Sequence, residues 1–327
     1  MIFINMKFII SLLFFLISFV GVSKSQDVVY SQFNNNRLYL NPGYTGTNFC
    51  PQLNMTYRNQ WPALGSNYVT SMVTYEQYVE EINGGLGVLL INDRSGGGLY
   101  SLNGASLFIS NEQKLNRNLR IRVGFEGAYK QRFLDMDKLH FEDSFNGVFF
   151  TPNTSESFGY IGRHHYFDIS FGTILFSDKF NVGISAHHIN RPDVSLVSNR
   201  SYLPIRYSIH GSRDFKIKKR NYSYYITPHV AYFRQGTAQQ YIIITNVKND
   251  ILMGGIGFRG VIGRDYADAV FFNFGINADS IKFIYSYDIT VSRLTPGSGG
   301  SHEVSFIIKT KCRGNRKRPS YMPNPSF

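Results

Sequence analysis

The chain has 327 residues with 34 Lys and Arg against 22 Asp and Glu, a formal charge of +12, yet only 17% of its positions are charged. Soluble domains average about 25% charged residues, and 16% aromatic residues with 30 Gly fit a soluble exported domain poorly. Aromatics and Gly spread among polar residues suit strands with one face toward lipid and the other toward a polar interior.

The first element is a targeting segment. Asn5 and Lys7 close a short polar start, Phe8 to Val22 is an almost unbroken apolar run, and Ser23-Lys24-Ser25 puts small residues at both positions a signal peptidase reads. Residues 1–25 therefore read as a secretory signal peptide cut before Gln26. The run is short for a retained anchor, since a spanning helix needs about 20 apolar residues. No Cys stands near the cut to carry a lipid. Cleavage removes Lys7 and Lys24 and no acid, so the charge falls from +12 to +10. In an exported chain such an excess suits outer-membrane lipid, lipopolysaccharide or an acidic protein, and not nucleic acid.

Residues 26–51 form an N-terminal segment expected in or under the periplasmic mouth of a barrel. Asn41-Pro42-Gly43 is a turn signal, with Pro presetting φ and Gly permitting positive φ. Tyr30, Phe33, Tyr39 and Tyr44 are spaced to anchor the segment against a wall or at the interface. A plug with no partner of its own is the plainer alternative.

From residue 52 to 312 the signal has period two. On 117–133, Leu119, Ile121, Val123, Phe125 and Tyr129 alternate with Arg120, Arg122, Glu126, Lys130 and Arg132. Successive side chains of a strand point to opposite faces, so this is a strand with one apolar and one charged face. The charged face reads as a water-filled lumen wall, or more sharply as a groove for an acidic segment. Comparable runs predict about fourteen antiparallel strands, at 52–60, 67–80, 84–93, 98–111, 117–133, 166–176, 179–190, 206–216, 221–234, 238–247, 250–260, 266–278, 279–289 and 301–312. The fold class is all-β, a transmembrane antiparallel barrel. Connections alternate between short polar turns, assigned to the periplasm, and longer loops, assigned to the outside.

Trp61, the only Trp, reads as an aromatic-belt residue beyond the first strand or as a binding residue. His164-His165 and His187-His188 are expected on opposite strand faces and so not to chelate one ion; no third ligand accompanies them. No nucleophile elbow or phosphate loop is present, so no enzyme, metal or cofactor is expected. The long connection around 134–165 combines Phe141, Phe145, Phe149, Phe150, Phe158 and Tyr160 with Asp135, Asp137, Glu142 and Asp143. Exposed aromatics rimmed by charge mark interaction sites, and the segment is expected to contact an extracellular client or to fold over the barrel mouth. Residues 313–327 form a basic tail in which Arg313, Arg316, Lys317 and Arg318 are placed to meet an acidic periplasmic partner or lipid headgroups. Cys50 and Cys312, the only cysteines, flank the first and last strands. Closing the barrel brings them to one seam as a disulfide, unless strand register leaves two free thiols.

Several of these stretches carry wording of a known family. Tyr30-Ser31-Gln32-Phe33, Leu38-Tyr39-Leu40-Asn41-Pro42-Gly43-Tyr44-Thr45-Gly46, Arg58-Asn59-Gln60-Trp61-Pro62, Gly84 to Gly87 and His302 to Phe306 follow in the order and spacing of PorP/SprF proteins. The chain resembles that family over nearly its whole mature length and departs at Gly43, where Ala is expected. The resemblance implies a non-enzymatic component of the type IX secretion system in the outer membrane of Gram-negative Bacteroidota. It implies a role in gliding motility and in secretion or surface attachment of a large adhesin with a C-terminal sorting domain. It also implies contact with the PorK/PorN (GldK/GldN) ring. An outer-membrane porin or ligand transporter is the competing function.

Overall fold

The computed structural model describes residues 27–48, 50–135, 138–139, 145–146, 149–150, 162–196, 199–219, 222–262, 267–278, 280–291 and 297–310. Fourteen antiparallel strands alternate along the chain. They are β1 (Gln52–Gln60), β2 (Tyr68–Val79), β3 (Gly84–Ser95), β4 (Tyr100–Lys114), β5 (Arg120–Leu134), β6 (Arg163–Phe176) and β7 (Phe180–His187). The second half holds β8 (Arg206–Arg213, resuming as Phe215–Lys219), β9 (Tyr222–Gln235), β10 (Ala238–Lys248), β11 (Leu252–Val261), β12 (Ala267–Asn277), β13 (Ile281–Thr290) and β14 (Ser301–Lys309). Each pairs with its sequence neighbours, and β1 pairs with β14 from Gln52 opposite Lys309 to Gln60 opposite Ser301. That last pairing closes the ring and removes the free edges an open sheet would expose.

The expected strands stand in place with ends moved by a few residues, and β8 departs most. Arg213 opposite Phe180 is its last pairing with β7. Asp214 then leaves the ladder, its N–H donating to Lys179 O in the β6–β7 turn, and Phe215–Lys219 pairs with β9 alone. The strand expected at 206–216 therefore runs on to Lys219 with a break.

Alternation sets the faces. In β6, Phe167 is 71% exposed and the next residue, Asp168, 2%, which is a lipid-facing ring beside a lumen-facing carboxylate. The inner wall is not polar throughout. Ile174, Phe176, Ala231, Phe233, Ile242, Ile244 and Phe271 form an apolar stripe with Phe33, Leu40 and Tyr44 of the N-terminal segment. Burying such a side chain contributes roughly 1.5–3 kcal/mol, so the stripe holds that segment inside the barrel.

Connections at one end are short, at 80–83, 115–119, 177–179, 220–221, 249–251 and 278–280. The other end carries the long ones, at 135–162, 188–205 and 291–300. These are called the short-turn and long-loop ends below.

Candidate functional site

The site is the lumen and the segment that fills it. Residues 27–48 enter near the ends of β7 and β9 at the long-loop end and descend to the start of β1. They form one helical turn at Arg37–Leu40 and a 3-10 turn at Pro42–Tyr44. Ser31, Gln32, Asn36, Asn41 and Thr45 are all fully or almost fully buried. Buried polar groups persist only when hydrogen-bonded, and the partners lie around the wall.

Ser31 and Gln32 sit over an ionic cluster. The two backbone N–H groups donate to the Glu303 carboxylate at 2.9 and 3.2 Å, and Ser31 Oγ donates to Asp288 Oδ2 at 2.6 Å. Arg58 bridges the same acids, 2.8 Å from Glu303 Oε2 and 3.0 Å from Asp288 Oδ2. Arg259 adds contacts to Asp288 at 3.1 Å and Asp268 at 2.6 Å. The cluster ties β1, β11, β13 and β14 to the plug. Lower down, Thr56 Oγ1 donates to Asn36 Oδ1 at 2.6 Å and Lys282 Nζ to Asn35 Oδ1 at 3.0 Å.

The turn at Asn41-Pro42-Gly43 meets the opposite wall. Asn41 Oδ1 accepts from Gly43 N–H at 2.7 Å, while its Nδ2 donates to Ile184 O at 2.9 Å. Thr45 O accepts from Arg122 at 2.9 Å and Ser110 at 2.8 Å, and Gly46 N–H donates to Glu76 at 2.8 Å. Backbone meets backbone where Gly46, at φ +68°, lies against Gly85 of β3, and a Cβ at either would overlap the backbone of the other segment. Glu112 pairs with both Arg120 and Arg122 from the neighbouring strand.

The head of the plug is held by a charge ladder. Asp27 N–H donates to Gln235 Oε1 at 3.0 Å, and Asp27 Oδ2 lies 2.7 Å from His188 Nε2 and 3.3 Å from Arg206. His188 Nδ1 is 2.7 Å from Asp168 Oδ2, which accepts from Lys130 at 2.6 Å. Carboxylates only accept, so both ring nitrogens of His188 donate and the ring is an imidazolium. Burial alone opposes charge on His188, but Asp27 and Asp168 outweigh it and hold the imidazolium above the usual range. Burial likewise pushes the Asp27 carboxyl up, yet His188, Arg206 and Lys130 together hold it well below the usual carboxylate range.

Two cavities flank this head. One of about 400 Å³ at the long-loop end is lined by Trp61, Tyr68, Tyr100, Arg58 and Arg259, with Asp27, Val28 and Val29 beneath. A second of about 60 Å³ lies among Glu126, Lys130, Arg132, His187 and Arg206. Asp27 and Val28 line both.

Residues 22–308 match the family described as Type IX secretion system membrane protein PorP/SprF. The chain belongs to the PorP/SprF family. It is a type IX secretion component, built as a closed barrel and located in the outer membrane of a Gram-negative cell. No curated protein matches the chain. Solved barrels similar to this PorP/SprF chain include Omp33 of Acinetobacter baumannii, at 7% identity and a TM-score of 0.46 over 80% of this chain and 99% of that one. CdiB of the same species gives 7% and 0.44 over 80% and 60%. A mutant of the TodX monoaromatic hydrocarbon channel gives 9% and 0.45 over 83% and 92%. Likeness at this level carries no argument about what this PorP/SprF protein binds.

The family wording turns out to be plug and socket. Ser31-Gln32 and Asn41 to Gly46 are the plug, while Arg58, Gly85 and Glu303 are its seats. Arg120, Arg122, Glu126 and Arg132 are buried on the inner side of β5, with Lys130 beside them. Trp61 is half-buried in a left-handed conformation, φ 57°, with Nε1 donating to Thr290 Oγ1 at 3.3 Å, and it faces the larger cavity. His187 and His188 correct the expectation of opposite faces. His188 lies just past β7 at φ 60°, which turns its ring inward, so both are buried 6.4 Å apart.

Residues 1–26, Phe141, Tyr160, Cys312, Arg313, Arg316, Lys317 and Arg318 lie outside the described residues. Around Phe145, Phe149 and Phe150 only the backbone is described, as a short ribbon pairing Phe145 with Phe150 and Asn146 with Phe149. Asp27 and Asp288 were not singled out from sequence, Arg58 and Glu303 entered only as parts of family motifs, and His188 only as a metal ligand that was set aside. Their partnerships depend on the path of the plug, which no local pattern carries.

Proposed function

We propose that this PorP/SprF protein is a plugged, non-enzymatic component of the type IX secretion system that supports secretion or surface anchoring of a large adhesin with a C-terminal sorting domain. The observation that carries this reading is the occupied lumen, in which the family's own motifs form plug and seat. A diffusion porin needs an open lumen, so the plug speaks against the porin, while a ligand transporter can be plugged and is set apart by the uptake measurement below. The short-turn end faces the periplasm in this reading, as is usual for outer-membrane barrels. This reading assigns the basic tail, with Arg313, Arg316, Lys317 and Arg318, to the periplasmic side, where it meets the PorK/PorN (GldK/GldN) ring proteins. It places the long loop bearing Phe141, Phe145, Phe149, Phe150 and Tyr160 outside, toward the client, with lipid and lipopolysaccharide around the wall.

Affinity purification of the tagged protein from native membranes, alongside surface labelling of adhesins in a deletion strain, tests the proposal. Recovery of an adhesin and ring proteins, with that adhesin lost from the deletion strain's surface, is expected. An unchanged surface with impaired uptake of a small solute contradicts it and favours the transporter.

A further inference from the structure

We propose that Arg206 and His188 form a carboxylate-binding site that Asp27 fills in cis, with Gln235 accepting from the adjoining backbone N–H, and that an acidic side chain of a polypeptide entering from the 400 Å³ cavity takes the place of Asp27.

The receptor half is built into the wall. The His188 and Arg206 side chains are 3% and 5% exposed. His188 is fixed from behind by Asp168, itself held by Lys130. Arg206 donates to Tyr39 O at 3.1 Å and lies 4.7 Å over the Tyr39 ring. Neither cation depends on Asp27 for its position. His188 keeps Asp168 when Asp27 leaves, whereas Asp27 is the carboxylate paired with Arg206, and buried ions are stable only when paired.

The ligand half is Asp27, at the head of the plug. Asp27 is 18% exposed, and the head is otherwise tied down by Tyr39 OH donating to Val28 O at 2.9 Å. The body of the plug has its own anchors at Glu303, Asp288, Glu76 and Ile184. The head can therefore leave while the body stays. Asp27 and Val28 line both cavities, together with Asp93 and Tyr100 of the wall, so an occupant of the larger cavity meets Asp27 on its way to the clamp. Ligand pockets are typically about 300–1,000 Å³, which makes this cavity a fit for a short polypeptide stretch. Trp61, Tyr68 and Tyr100 offer apolar area and Gln60 and Gln240 amides to such a stretch. The proposal stands on this geometry and not on the identity of the secreted client.

Full-length protein in lipid nanodiscs is tested with a short peptide, acetylated and amidated at its ends, bearing one central Glu. Asp27→Asn removes the internal carboxylate. The peptide is expected to bind this variant at least about tenfold more tightly than wild type. The gain is expected to vanish when the peptide Glu is replaced by Gln, and in the Asp27→Asn/Arg206→Gln double variant. In wild type, saturating peptide is expected to speed hydrogen exchange at residues 27–30 and leave 38–48 protected. No gain with Asp27→Asn while 38–48 remains protected overturns the proposal, as does a gain that survives Arg206→Gln. Acetate binding as tightly as the peptide overturns the polypeptide assignment. None of these failures bears on secretion in cells, which tests the functional reading separately.

Discussion

Arg58 is 1% exposed and carries its charge between Asp288 and Glu303, with Ser31 of the plug hydrogen-bonded to both acids. In Arg58→Ala, Arg259 still reaches Asp288, but Glu303 loses the cation that pairs with it. Removing one partner of a buried ion pair typically costs about 3–5 kcal/mol. The expected outcome is a plug that becomes sensitive to protease within 27–48 while the barrel keeps its heat-modifiable mobility on gels. At the plug head, the sign of each shift fixes the pH response. His188 is held above its usual value, so its contribution is present below the ordinary imidazole range and lost as pH rises through the raised value. Asp27 is held low, so its contribution is present above the ordinary carboxylate range and lost only as pH falls through the lowered value. Hydrogen exchange at 27–30 should stay slow through neutral pH and accelerate on the alkaline side. Acceleration centred near about 6.5, the free-histidine value, would contradict the ladder. The inner row of β5 was legible in the sequence because its alternation is unbroken. The acids at Asp288 and Glu303 were not, because each looks like an ordinary polar position until its partner from the plug is known.

At the scale of elements, the strands were legible from period two and the sidedness from connection length. Both are local properties of the chain. The apolar inner stripe was not. In β10, Tyr241, Ile242, Ile243 and Ile244 run without a polar residue between them, so alternation does not say that Ile242 and Ile244 face inward, each 0% exposed. That two-sided apolar character was the available signal that something packs inside. The Gly84 to Gly87 wording gained its reason in the same way, since the space at Gly85 is filled by the backbone of Thr45 and Gly46. Gly85→Val should leave the barrel assembled, because the added atoms point into the lumen, and should unseat the plug at Gly46. Overpacking typically costs about 1–3 kcal/mol, and here backbone cannot move aside as a side chain would. Limited proteolysis should cleave 27–48 faster in this variant, with the strands still resistant.

At the scale of the molecule, one seam closes the barrel and a plug fills it. The β1–β14 register ends with Gln52 opposite Lys309, and Thr310 N–H donates to Pro51 O at 3.0 Å. No cysteine is free among the described residues. Continued outward, that register carries Cys50 toward Cys312, and a disulfide there is the proposal that follows. In the chain-entropy model such a long loop contributes on the order of 4–5 kcal/mol, mainly by constraining the unfolded state. Oxidised protein denatured without reductant should run faster on a gel than the reduced form, and Cys50→Ser should abolish the difference.

The central claim is that the chain closes its own lumen, and single-channel recording in planar bilayers tests it most directly. Wild-type protein should be nearly silent, and a variant lacking residues 27–48 should open a steady pore of the size a fourteen-strand barrel encloses. A wild-type protein that conducts as well as the deletion variant would contradict the account.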